Sequence, residues 1–60
     1  TRLVPIEVKM TRKPVEEDGH WIRALRKDYG PRIQPGYVVH TGSGVGALGD
    51  GVEALPFAGL

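Results

Sequence analysis

Leu3-Val4-Pro5-Ile6-Glu7-Val8-Lys9-Met10 is the stretch from which the fold is read. Side chains alternate between faces along an extended segment. Val4, Ile6, Val8 and Met10 therefore share one continuous apolar face, and Leu3, Pro5, Glu7 and Lys9 share the other. Val/Ile content and alternation make Thr1 to Met10 a strand. Pro5 cannot donate to a ladder, which places it at an edge, near a strand start or at a bulge. Glu7 and Lys9 lie side by side, about 6.5 Å apart along one face at ~3.3 Å per residue. A carboxylate and an ammonium so held can bind a metal and steady an oxyanion, or form a plain surface ion pair.

Downstream, Thr11 to Pro14 reads as a turn, and Pro14 biases Lys13 away from helix. Val15 to Tyr29 reads as a helix with Glu16, Glu17 and Asp18 crowding its first turn, where acids suit the dipole. Ile22, Leu25 and Tyr29, flanked by Trp21 and Ala24, form the expected apolar stripe, with Arg23, Arg26 and Lys27 on or near the other side. Gly19 inside the helix costs ~1 kcal/mol against Ala and argues for a late start. Gly30-Pro31 is a stop signal. Pro31 to Pro35 is a loop, and Gly36 to Thr41 a second strand. Gly42-Ser43-Gly44 is a turn, Val45 to Leu48 a short strand, and Asp50-Gly51 a hairpin turn into a last strand from Val52 to Phe57. The class is α+β: a strand–helix–strand crossover, parallel and right-handed by rule, plus C-terminal hairpin strands. One helix packs on a small mixed sheet.

Sixty residues make a single unit, 1–60, with no cysteine for disulfides or cysteine–zinc sites. A domain of this size buries only about 60% of the surface of its unfolded chain and usually needs a metal, disulfides or a partner. The cysteine-free composition fits a reducing, cytoplasmic setting. No apolar run approaches the ~20 residues of a membrane span, so no membrane partner is expected. The chain starts without Met directly before a strand, which reads as a segment of a larger domain.

Charge is unevenly placed. Residues 1–32 hold all eight basic residues against five acids, a net +3, whereas residues 33–60 carry only Asp50 and Glu53. A basic half can favour phosphate, and Arg12, Lys13, Arg23, Arg26 and Lys27, with Lys9, are the candidate nucleic-acid contacts. A solvated helix face is the alternative. Trp21 could stack on a base or serve as a partly buried helix aromatic. His20 and His40 sit in no ligand-spaced pair; His20 reads as exposed and His40 as a surface or hydrogen-bonded residue. Gly44-Val45-Gly46-Ala47-Leu48-Gly49 matches a dinucleotide fingerprint in form, but an Asp-Gly turn follows where that motif needs a helix. Ser43 lies in a Gly turn, with no acid near His40 to complete a catalytic set.

Ile6-Glu7-Val8-Lys9 on a strand, followed by a helix and another strand, resembles the second half of the PD-(D/E)xK nuclease fold, a restriction-endonuclease-like architecture. The resemblance implies Glu7 as a Mg²⁺ ligand and Lys9 as the group positioning the nucleophile, the metal activating water and stabilising the phosphorane charge. The family's earlier aspartate has no counterpart before Glu7. A longer resemblance uses Leu3 to Lys9, the Leu25-containing helix, Gly36 to Gly42 and Ala47 to Phe57. In order and spacing these look like the C-terminal end of the nuclease-like domain that follows the ATPase core in a family of prokaryotic AAA+-type ATPases. It implies a non-catalytic structural or interaction segment, with the rest of the parent ATPase as a partner. The alternative is a Mg²⁺-dependent nuclease-type or nucleic-acid-binding module using Glu7 and Lys9. One helix covers one sheet face, so Leu3, Val38 or Val39 on the other is expected to stay partly wet. An open strand edge adds a template for pairing, and a homo-oligomer is expected.

Overall fold

A computed structural model of the chain describes residues 2–59; Thr1, where the expected first strand begins, lies outside them. The quoted stretch is extended. Its regular core, β1 (Ile6–Val8), pairs in parallel with β2 (Gly36–His40), placing Ile6 opposite Tyr37, Glu7 opposite Val38 and Val8 opposite Val39. Backbone bonds carry the pairing further at both ends. Leu3 N–H donates to Arg32 O at 2.9 Å, Lys9 N–H to Val39 O at 2.9 Å, and Thr41 N–H to Thr11 O at 2.9 Å. Pro5 accepts from Tyr37 N–H at 3.0 Å. Its missing donor thus faces β2, and the interruption shortens the regular strand to three residues.

The expected helix divides in two. Glu16–Gly19 forms a 3₁₀ turn, and α1 (His20–Tyr29) follows. Asp18 Oδ2 accepts the Val15 N–H at 2.8 Å, which satisfies one of the orphan donors at the start. Gly19 is buried where the turn meets the sheet: a Cβ there would lie 2.9 Å from Val52 Cγ1 and 2.8 Å from Arg23 Nη1. Close approach, rather than helix propensity, explains the glycine. Gly30 ends α1 at φ 66°, with its N–H on Arg26 O.

The face α1 turns to the sheet differs from the expected stripe. Ile22 is the buried residue of the helix, while Trp21 is 71% and Tyr29 64% exposed and Leu25 lies at the boundary. The inward positions are Gly19, Ile22, Arg23 and Arg26, which follow the i, i+3, i+4, i+7 spacing of one helix face. Two of these four are arginines. Their alkyl stems cover apolar surface while the guanidinium heads find carbonyls. A reading that scores arginine as polar therefore turns the helix the wrong way. Trp21 is not partly buried; its ring meets His20 edge-on, with centroids 5.6 Å apart.

The sheet holds four strands in the order β1-β2-β4-β3, where β3 is Gly46–Ala47 and β4 is Val52–Pro56. β4 runs parallel to β2 and antiparallel to β3. The chain leaves β2, passes over one strand position to β3, and turns back through Gly49–Val52 so that β4 fills the gap. Val52 N–H on Gly49 O (3.1 Å) and Leu48 N–H on Val52 O (2.8 Å) close that turn. The class is a small α+β fold with one helix on a mixed four-stranded sheet. The core comprises Ile22, Val38, Leu48, Val52 and Ala54, on the helix side. Of Leu3, Val38 and Val39, among which one is expected to stay partly wet, Leu3 is exposed and both valines are buried. Val39 escapes solvent on the uncovered face because Val8 and Leu55 flank it in register. No helix among the described residues is long and apolar enough to cross a membrane.

Candidate interaction surface

Parallel register sorts the first strand's side chains. Glu7 pairs with Val38 and so lies on the helix side, with Pro5 and Lys9. A Cβ on Gly36 would meet both the Pro5 ring and Ile22, which fixes that side as the covered one. Glu7 is half-buried and Lys9 exposed. Among the described residues no group of three or more His, Cys, Asp or Glu side chains could hold a metal ion.

The candidate nucleic-acid contacts fall into two groups. Arg12 and Lys13 line a cleft of about 380 Å³ with Thr41, Gly42 and Ser43, beyond the C-terminal end of β2. Arg23, Arg26 and Lys27 line another with Gly30, Pro31 and Asp50, beside the turn that starts β4. Because β2 and β4 are parallel, these clefts sit at opposite ends of the sheet. Arg23 and Arg26 are also not on the far side of the helix, where the sequence places them. Arg23 donates from Nη1 to Leu48 O and from Nη2 to Glu16 O, both at 2.7 Å, and Arg26 Nε donates to Ile33 O at 3.3 Å. These two guanidinium groups tie α1 to the Leu48 and Ile33 segments. The five residues do not form one basic surface.

His40, the last residue of β2, is 1% exposed. Its Nδ1 accepts from Gly42 N–H at 3.0 Å, and its Nε2 lies 2.7 Å from Gly44 O. An amide can only donate, so Nδ1 carries no proton and the Nε2–H donates to Gly44. One imidazole thereby pins both sides of the segment that carries the chain from β2 over to β3. Of the two sequence readings of His40, the hydrogen-bonded one holds and the surface one does not. Both ring nitrogens being occupied, the group serves the loop and is not presented as a base or a ligand. His20 is exposed, as expected.

The feature that stands out is the sheet face opposite α1. Val4, Ile6, Val8 and Met10 all point there; Ile6 is 62%, Val8 61% and Met10 87% exposed. Val39 and Leu55 continue the face, and Phe57 with Ala58 borders a cleft of about 340 Å³ over Val8, Met10 and Val39. The first four were legible from alternation. Leu55 and Phe57 were missed as members of this surface, although their own alternation in the last strand carried the signal. Comparison of the chain with protein-family models, with curated proteins and with solved structures gave no match.

Proposed function

We propose that the chain is a non-catalytic interaction unit that associates with itself, as would suit the structural segment of a nuclease-like domain in an ATPase-type protein. One observation carries the reading: a contiguous stripe of Val4, Ile6, Val8 and Met10 stands open on the face the helix does not cover. Soluble monomers rarely leave large contiguous apolar patches in water, and such patches mark interaction sites. Covering it returns ~25 cal/mol per Å² of apolar surface, a gain that matters to a chain of this size.

Sedimentation equilibrium at micromolar concentration should give a mass above that of the 6.5 kDa chain. Val8→Lys and Ile6→Lys, which add charge to the open face, should each shift the equilibrium to monomer by roughly ten-fold or more in dissociation constant, as expected from loss of ~1.5 kcal/mol of apolar burial. Their denaturation midpoints should not depend on concentration and should match the parent's at concentrations low enough to dissociate it. A parent chain that sediments as a monomer, with sharp thermal unfolding independent of concentration, overturns the reading. Plasmid cleavage that requires Mg²⁺ and is lost in Glu7→Ala would replace it with the nuclease-type alternative.

A further inference from the structure

The Glu7–Lys9 pair and the free side of β1 fit together in a way that neither does alone. Leu3, Pro5, Lys9 and Thr11 make their backbone bonds toward β2. By strand alternation the N–H and C=O groups of Val4, Ile6, Val8 and Met10 point the other way, off the edge of the sheet where β1 lies. Pro5 belongs to the inward set, so the outward row has no missing donor. Sheet edges are ordinarily blunted by short strands, by charged side chains such as Lys, by an outward Pro or by a bulge, because a complete row is a template for another strand; β1 is short and Lys9 follows it, but no outward Pro or bulge breaks its row. Here the row is intact over four consecutive outward residues.

We infer that two copies of this chain pair antiparallel along β1, about a two-fold axis at Val8, and that Glu7 and Lys9 set the register; this rests on the self-association reading above. In an antiparallel ladder, residues that exchange backbone bonds face each other. Outward even-numbered residues must therefore oppose even-numbered residues, which restricts the symmetric registers near the strand centre to axes at residue 6, 7 or 8. An axis at residue 7 sets Glu7 against Glu7 of the second copy, a destabilising like-charge pair. An axis at residue 6 sets Glu7 against Pro5 and Lys9 against Leu3, leaving both charges without a partner. The axis at Val8 sets Glu7 against Lys9 and Lys9 against Glu7. It also sets Ile6 against Met10 and Val8 against itself. The charged pairs then occupy the sites that do not exchange backbone bonds, where the Cα atoms approach to ~4.5 Å and side chains are closest. Opposite charges directly across such a site are favourable and like charges unfavourable. A two-fold axis perpendicular to the sheet keeps the helix sides together. On the face opposite the helices Ile6 then packs beside Met10 of the second copy and Val8 beside Val8, so the two apolar stripes cover part of each other along the seam.

The test is a charge exchange followed by sedimentation equilibrium of the whole chain. Glu7→Lys alone and Lys9→Glu alone each create two like-charge pairs, and each should raise the dissociation constant roughly ten-fold. The double variant E7K/K9E restores opposite charges across the axis and should return to within about two-fold of the parent. A double variant as weak as the singles, or singles that associate like the parent, overturns the register while leaving self-association in place. A monomeric parent overturns both. A second measurement does not depend on the charge variants folding. The chain has no cysteine, so single nitroxide labels can be placed at Val4→Cys, Ile6→Cys and Val8→Cys. Spin–spin broadening should be strongest at position 8. Broadening strongest at position 6, equal at 6 and 8, or absent at all three would overturn the inference.

Discussion

His40→Ala is expected to abolish cooperative folding, or to leave a chain that melts far below the parent. The imidazole is nearly sealed from solvent and is among the largest fully buried side chains. Its removal opens a cavity and orphans two backbone groups at once, Gly42 N–H and Gly44 C=O. Gly42 is half-buried and Gly44 exposed, so each lost bond counts ~0.5–1.5 kcal/mol, and a large-to-small change in a core adds more. A total of ~3–5 kcal/mol follows from these terms. A domain of this size holds only ~3–9 kcal/mol in all, at 0.05–0.15 kcal/mol per residue. The same variant should also free the loop that carries the chain past β4, so β3 should lose protection from amide hydrogen exchange before β1 does. His40→Phe keeps most of the volume without the bonds and should fall between the two. Urea unfolding followed by circular dichroism is the measurement. An alanine variant with the parent's midpoint would show that the imidazole does not hold the loop.

Gly42→Ala should destabilise by more than ~2 kcal/mol, the range of overpacking against atoms that cannot move aside. A Cβ at this position would run into the carbonyl of Arg12, a backbone group. The two segments cannot separate without breaking the Thr41 N–H bond to Thr11 O at 2.9 Å, which joins them next to the contact. Gly44 and Gly46, two and four residues further on, offer the control. Neither has a positive φ, and a Cβ on either meets nothing within 4 Å. Alanine there should be neutral or stabilise by up to ~1 kcal/mol, because it narrows the unfolded ensemble. Thermal melts of the three variants separate the positions. Equal melting of Gly42→Ala and Gly44→Ala would refute the close approach.

That contrast shows why the glycine-rich segment was hard to interpret from its letters. Gly42, Gly44 and Gly46 look alike in sequence, and Gly44 even opens a formal nucleotide-binding pattern. What distinguishes Gly42 is a carbonyl thirty residues earlier, brought near by the β1–β2 pairing. The candidate site behaved similarly. Placing Glu7 and Lys9 on one face needed only the two-residue period. Which face that was, and what shared it, depended on the register with Val38.

The sequence by itself determined the features that short-range chemistry controls. Alternation from Val4 to Met10 made an extended segment, Gly30-Pro31 stopped the helix, and Asp50-Gly51 turned the last hairpin. Each follows from backbone stereochemistry or side-chain period within a few residues, so no distant contact was needed to read it. Tertiary structure alone decided the rest. It put β4 between β2 and β3, although β3 comes first in the chain, and it buried His40 against the loop that passes over. It turned Arg23 and Arg26 inward, because the carbonyls of Leu48, Glu16 and Ile33 were there to receive them. It also buried Val39 while leaving Ile6, Val8 and Met10 open. The cause is the same in each case: the free energy of these side chains depends on groups far away in the chain, and only the folded arrangement places those groups within a hydrogen bond or a van der Waals contact.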